Sequence, residues 1–313
     1  MSDADETRSS RAAQSFSVSD ELAGLALDRA LRTLLEGESW GKVRRFIETG
    51  KVRLDGEVVT ELTRFVRKGQ TIALSHSAPR PQRPGLSSSA IVYADTHVVV
   101  VEKPAGLSTV PFDENETVAL DQIVAAELSR RDRGRRPPLG VVHRLDKDTT
   151  GLVVFARSVP AKRVLKNQFR FHTVKRRYWA IAHGVPAAGT LSSRLVPDRG
   201  DGLRGSTDNP TLGRPATTHV KVLERLSGAS WLECRLETGR THQIRIHLAE
   251  SGCPLLGERV YIRGYKGSIT PAPRVMLHAF ELGFEHPVSG LPLAFESRMP
   301  ADMTLLLNRL RAR

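Results

Sequence analysis

The stretch HSAPRPQRPGLSSSA, from His76 to Ala90, limits the possible folds more than any other part of the chain. It mixes proline, serine and glycine without apolar periodicity, so it offers no face to a core and reads as a linker. A chain of 313 residues interrupted there must build two cores, a small one before the linker and a large one after it. The expected organisation is a flexible tail over 1–19, a small domain over 20–75, the linker over 76–89 and a large domain over 90–313.

In the small domain Leu22, Leu25, Ala26, Arg29, Ala30 and Thr33 follow helical spacing, and Trp40 to Ile47 predicts a second amphipathic helix ending before Gly50. KVRLDGEVV and QTIALS then read as short strands around turns at Asp55-Gly56 and Lys68-Gly69. Lys42, Arg44, Arg45, Lys51 and Arg53 crowd onto the second helix and first strand. Across the chain 47 Lys and Arg face 34 Asp and Glu, a net charge of +13 that points to a polyanion as partner. The plain alternative is a solvated basic face.

The large domain changes periodicity repeatedly. IVYADTHVVVVEKPAG predicts two strands with a turn at Asp95-Thr96, VALDQIVAAELSRR an amphipathic helix, and Ala161 to Phe171 another. KRRYWAIAHG, ATTHVKVLERL and SWLECRLETG alternate with period two and predict strands. HQIRIHLAESG fits a helix stopped by Gly252, and its alternation also fits a strand. VMLHAFELGFEHPVSGLPLAFES predicts a hairpin around Pro287 to Gly290, and ADMTLLLNRLRAR a terminal helix. The mixture predicts an α+β domain on a mostly antiparallel mixed sheet.

Several classes are disfavoured. No apolar run approaches the roughly 20 residues that span a bilayer, and MSDADETRSSRAAQ lacks the apolar stretch of a signal peptide, so a cytoplasmic protein is expected. Cys234 and Cys253 are too few for a disulfide framework and form no CxxC pair. No HExxH, GxxxxGK[ST], GxGxxG after a strand or GxSxG occurs, so neither a metal, a nucleotide cofactor nor a serine nucleophile is expected.

What remains is a carboxylate among cations. In GVVHRLDKDTTGLVVFARS two apolar blocks flank HRLDKDTTG, which must leave the sheet as a loop and return. A neighbouring guanidinium would keep Asp146 ionised and oriented, as a nucleophile or proton acceptor requires. Local sequence alone favours a humbler role, with Asp146 or Asp148 closing a turn before Thr149-Thr150-Gly151. His143 should point away from Asp146 and pack or hydrogen-bond within the loop.

The order of segments reverses that preference. HRLDKDTTGLVVFARS, KRRYWAIAHG, GRPATTHVKVLERL and LETGRTHQIRIHLAESGCPLLGE together resemble the motif set of the RluA-type pseudouridine synthases, over residues 90 to 303. The resemblance implies a catalytic domain with a cleft that isomerises uridine in structured RNA without a cofactor. It implies Asp146 as the catalytic aspartate, Arg144 as the side chain that helps displace the target base, and Tyr178 as the tyrosine stacked on the uracil. Arg245 is the choice for the arginine paired with Asp146, with Arg240 as second candidate; His242 and Gln243 would support them.

The basic helix followed by GKVRLDG, Gly50 to Gly56, resembles the S-four-type RNA-binding domain. By analogy it tilts the expected substrate toward large-subunit ribosomal RNA over tRNA, bound by a monomer. A non-catalytic RNA-binding or ribosome-assembly protein of the same fold is the rival. Two arginine- or glycine-rich loops stay open: Arg130 to Pro138 could hold phosphates, and Pro197 to Gly213 is either a mobile substrate-contacting loop or a variable one.

Overall fold

The computed structural model describes residues 13–60, 62, 64–78, 90–112, 118–132 and 139–312. Most of the expected linker and residues 133–138 of the arginine-dense loop therefore lie outside the described residues. The chain divides into two compact units, Met1–Gly85 and Leu86–Arg313. Among the described residues no helix is long and apolar enough to cross a membrane.

The first unit contains β1 (Gln14–Ser17), α1 (Leu27–Leu34), α2 (Trp40–Glu48), β2 (Val52–Leu54), β3 (Glu57–Val58) and β4 (Thr71–Leu74). Leu27, Ala30 and Leu31 of α1 and Val43 and Ile47 of α2 fall at helical spacing and are fully buried against Val52, Ile72 and Leu74. Ser39 caps α2, its Oγ accepting from the Lys42 amide at 3.3 Å. At the hairpin between β2 and β3, Asp55 and Gly56 both take positive φ, 51° and 83°, which is why this turn carries Asp-Gly.

The expected tail to residue 19 needs correction. Gln14–Ser17 is an edge strand antiparallel to β4, with Phe16 opposite Ile72. Backbone pairing holds it; a four-residue segment with one large apolar side chain carries no periodicity to read.

The second unit contains β5 (Ile91–Ala94), β6 (Val98–Lys103), α3 (Leu120–Arg131), β7 (Gly140–Val141), β8 (Thr150–Ala156), α4 (Val159–Arg170), β9 (Lys175–His183), β10 (Gly189–Val196), β11 (Gly205–Thr207), β12 (Arg214–Leu226), β13 (Ala229–Leu236), α5 (Gln243–Glu250), β14 (Leu277–Glu285), β15 (Pro292–Glu296) and α6 (Ala301–Arg311). One mixed sheet takes the strands in the order β11-β10-β12-β13-β9-β14-β8-β6-β5, with β15 beside β14 and β7 beside β8. Among the described residues only β14 and β8 pair in parallel; the fold is the expected α+β class.

Both faces of this sheet are covered, so Val98–Val101 of β6 and Leu152–Ala156 of β8 form unbroken apolar runs instead of alternating. Helices α3 and α5 pack on the face that also receives Tyr178, Ala180 and Ala182 of β9. Helix α4 packs Ala161 and Leu165 elsewhere on the sheet, and α6 covers Ile181. The segment HQIRIHLAESG is the helix α5, and residues 243–248 are all buried, which is why neither periodicity stood out. The Pro197–Gly213 segment contains the short strand β11, whose Gly-Ser-Thr sequence gives no apolar signal.

The parallel pair positions the site. Gly151 on β8 lies opposite Ala279 on β14, and Tyr178 on β9 lies opposite the same Ala279 from the other side. The loop before β8 therefore opens beside Tyr178. Gly151 has φ 114°, and a Cβ there would come within 2.2 Å of the Ala279 carbonyl oxygen, so the loop can re-enter the sheet only through glycine.

Candidate active site

The loop between β7 and β8 is tied down residue by residue. Thr109 Oγ1 receives the Leu145 amide at 3.0 Å and donates to the Leu145 carbonyl at 2.8 Å. Lys103, fully buried at the end of β6, donates from Nζ to the carbonyls of Pro104, Leu107 and Lys147 at 2.7–2.8 Å. Arg274 Nη1 reaches the Asp148 carbonyl at 3.3 Å, and the Thr149 amide donates back to the Asp146 carbonyl at 3.1 Å. Burial lowers the Lys103 pKa to about 7 against the upward pull of Asp148 and Asp146. Its three N–H bonds match three carbonyls only while it is an ammonium.

His143 points away from Asp146, as expected: its Nε2 accepts from the Val154 amide at 3.0 Å and its ring stacks on Phe169. Burial, then Arg176, drives its pKa down to about 3, so it stays neutral.

Asp146 keeps 24% of its side chain exposed and is approached from two sides. Arg245 Nη1 lies 3.5 Å from Oδ2, and His242 Nε2 lies 3.9 Å from Oδ1. Both come from the start of α5. Arg245 is itself clamped by Glu258, whose Oε2 and Oε1 accept from Nε at 2.7 Å and Nη2 at 2.8 Å. Glu258 Oε1 also accepts the amides of Arg259, Val260 and Tyr261. Burial pushes the Glu258 carboxyl up, but Arg245 and these amides hold it below the usual glutamate range. The same carboxylate outweighs burial at Arg245 and raises its pKa.

His242 adopts φ 60° and ψ 16°, left-handed backbone that a non-glycine residue seldom takes. Its Nδ1 lies 2.7 Å from the Tyr261 hydroxyl, and burial lowers its pKa against the opposing field of Asp146. Burial raises the Tyr261 pKa, so its phenol keeps its proton, and Arg245 lies over its ring. Tyr178 is buried on the same face, its hydroxyl pushed up to about 12 by burial.

Arg144 is exposed and donates to Thr241 Oγ1 at 3.2 Å, one residue before His242. Arg240 donates to the Pro215 carbonyl at 3.0 Å; the arginine brought to Asp146 is Arg245. In the first unit Lys42 pairs with Glu38 and Arg44 with Asp28, whereas Arg45 is exposed. Lys51 donates to the Ala78 carbonyl and Arg53 to that of Gly56.

Asp146 is thus faced by an arginine and a histidine, and the loop that carries it opens beside the buried Tyr178. The description RNA pseudouridylate synthase belongs to the family whose pattern matches residues 97–250. The ribosomal large subunit pseudouridine synthase D of Zymomonas mobilis is 36% identical over 310 residues, covering 95% of this chain and 97% of that one. The chain belongs to the RNA pseudouridylate synthase family. The enzyme of the same name from Neisseria meningitidis is 37% identical over 308 residues, covering 93% of this chain and 80% of that one. The solved structure of human RNA pseudouridylate synthase domain containing 4 superposes with a TM-score of 0.59 at 25% identity, covering 72% of this chain and 94% of that one.

This RNA pseudouridine synthase thus holds its loop with groups that sequence reading passed over. Glu258 stands alone in an irregular segment, with nothing to tie it to Arg245. Lys103 did carry a signal: a charge at the end of a strand that opens with four valines must find partners inside the protein.

Proposed function

We propose that this synthase converts specific uridines of large-subunit ribosomal RNA to pseudouridine, as a cytoplasmic monomer, with Asp146 as its catalytic carboxylate. The observation that carries this is the approach of Arg245 and His242 to the two oxygens of Asp146 on a loop anchored by Lys103 and Thr109. Such a carboxylate is oriented before substrate arrives, as electrostatic preorganisation requires. Every group named comes from one chain, so the proposed site needs no partner subunit to complete it. The names of the relatives support the ribosomal substrate.

In the reaction the bond from uracil N1 to ribose C1′ breaks, the base turns while held, and C1′ joins C5, which gives up its proton while N1 takes one from the medium. Asp146 would act on the ribose by attack at C1′ or by proton abstraction. Tyr178 would stack on the flipped uracil, and Arg144 would fill the place the base leaves. Arg240, on the Pro215 side, would meet the RNA backbone. Lys42, Arg44, Arg45, Lys51 and Arg53 would give the first unit its electrostatic hold on RNA, and among the described residues only Lys42 and Arg44 of these five face carboxylates.

The test is tritium release from RNA labelled at uridine C5, using total RNA from cells lacking the protein, followed by mapping of the converted positions. Conversion within large-subunit RNA is expected. Conversion confined to tRNA would overturn the ribosomal reading.

A further inference from the structure

We infer that a cavity of about 480 Å³ behind Tyr261 binds a second nucleotide of the RNA substrate, one flanking the target uridine. The inference rests on RNA being the substrate, and it concerns a place that Asp146 does not line. Tyr261 is the shared wall: it lines the cavity, and its hydroxyl lies 2.7 Å from the histidine that faces Asp146. A strand with its target base at Asp146 would therefore bring a neighbouring nucleotide to the far side of Tyr261.

The chemistry of the cavity fits a nucleotide. Tyr265 lines it, and the Tyr265 ring is backed by His183, at 4.9 Å between centroids and 28° between planes. His183 is buried and does not line the cavity, so it stiffens the tyrosine from behind and leaves a ring face to the cavity. A rigid aromatic platform is what stacks a base without regard to its identity. Ile246 of α5 and Val260 supply an apolar floor.

The cations suit a phosphate. Arg199 lines the cavity but is committed to Asp201 at 2.9 Å and faces Glu250 at 3.7 Å. Arg263 and Lys266 also line it and are exposed, and among the described residues neither has an ion-pair partner. Stacking platform and unneutralised cations together select a nucleotide over an apolar ligand, and the shared wall selects one joined to the target.

The test uses the full-length enzyme with C5-tritiated total RNA from cells lacking it, and with the same RNA carrying 4-thiouridine for photocrosslinking. Tyr265→Ala should raise KM roughly 5- to 150-fold, with the loss in KM and not in kcat. Tyr265→Phe, which keeps the platform, should restore KM. Arg263→Gln combined with Lys266→Gln should flatten the slope of log affinity against log salt by about 1.4 to 1.8. Crosslinks should map to the peptide containing Tyr265. Unchanged KM and salt slope without a crosslink there would overturn the inference, as would a Tyr265→Phe enzyme as weak as Tyr265→Ala. A cavity for free nucleotides alone would also leave KM for RNA untouched. Wild-type enzyme that converts no uridine would instead sink the substrate reading, while the crosslink still reports on the cavity.

Discussion

Glu258 takes two of the nitrogens of Arg245, at 2.7 and 2.8 Å, and leaves the third to face Asp146 at 3.5 Å. The arginine is thus oriented by a buried carboxylate before it orients a half-buried one. Glu258→Gln should lower kcat well below wild type while RNA affinity is kept, since Arg245 would lose its clamp. Breaking a buried pair costs on the order of 3 kcal/mol, so a lowered denaturation midpoint is expected too. Because the folded pKa of Glu258 is depressed, its contribution is complete above the ordinary glutamate range and is lost as pH falls through the folded value. Wild type should therefore lose more stability on acidification than Glu258→Gln; equal acid profiles would show the pair to be unimportant.

His242 separates a backbone role from a chemical one. Its left-handed conformation suits glycine, so His242→Gly should fold at least as well as wild type. If the imidazole steadies Asp146, that variant loses turnover all the same. With the Tyr261 hydroxyl donating to Nδ1, the ring proton sits on Nε2 facing Asp146, and His242→Gln should recover more activity than His242→Asn because its amide reaches the Nε2 position. Full activity in His242→Gly would reduce the residue to a turn former.

Lys103 makes stability depend on alkaline pH in a definite direction. Its folded pKa, about 7, lies below the ordinary lysine value of 10.5, so between these limits the unfolded chain binds more protons. Its contribution to unfolding free energy therefore rises with pH across that window, by at most roughly 1.4 kcal/mol per unit. Lys103→Met should remove this slope. Chemical denaturation of both proteins at pH 7 and pH 9.5 checks it, and parallel changes would contradict the burial of a titrating ammonium.

In the first unit the five basic residues should not contribute equally. Lys42 and Arg44 already face Glu38 and Asp28, whereas Arg45 is exposed and Arg53 holds only the Gly56 carbonyl. Arg45→Gln and Arg53→Gln should each flatten the salt dependence of RNA affinity by up to about 0.7 to 0.9, and Lys42→Gln by less. Filter binding over a salt series distinguishes these. A slope unaltered by Arg45→Gln and Arg53→Gln would remove this face from the RNA.

Much of the second unit was legible because its composition changes abruptly at element ends. HRLDKDTTG between two apolar blocks read as a loop, and it is one up to Thr149, with Thr150 and Gly151 already in β8; β9, β12 and β13 alternate plainly. GTLSSRLV, the strand β10, passed unnoticed because most of it is exposed or half-buried and polar. Helix α5 stayed ambiguous because burial all round erases both periods. The choice between Arg245 and Arg240 was beyond sequence, since it depends on which side of a helix start meets a distant loop. Glu258 was invisible for the same reason: its meaning lies in a contact, and one glutamate in a loop has no pattern.

The most direct measurement is turnover by Asp146→Asn on C5-tritiated RNA under saturating conditions, alongside RNA affinity. The substitution keeps the shape of the side chain and removes its charge, so neither a cavity nor a clash follows. Tritium release should fall to background while affinity stays close to wild type, and combining Asp146→Asn with Arg245→Met should add little, because both disable one unit. Wild-type release by Asp146→Asn would contradict a catalytic carboxylate and leave Asp146 as the residue whose carbonyl closes the turn at Thr149.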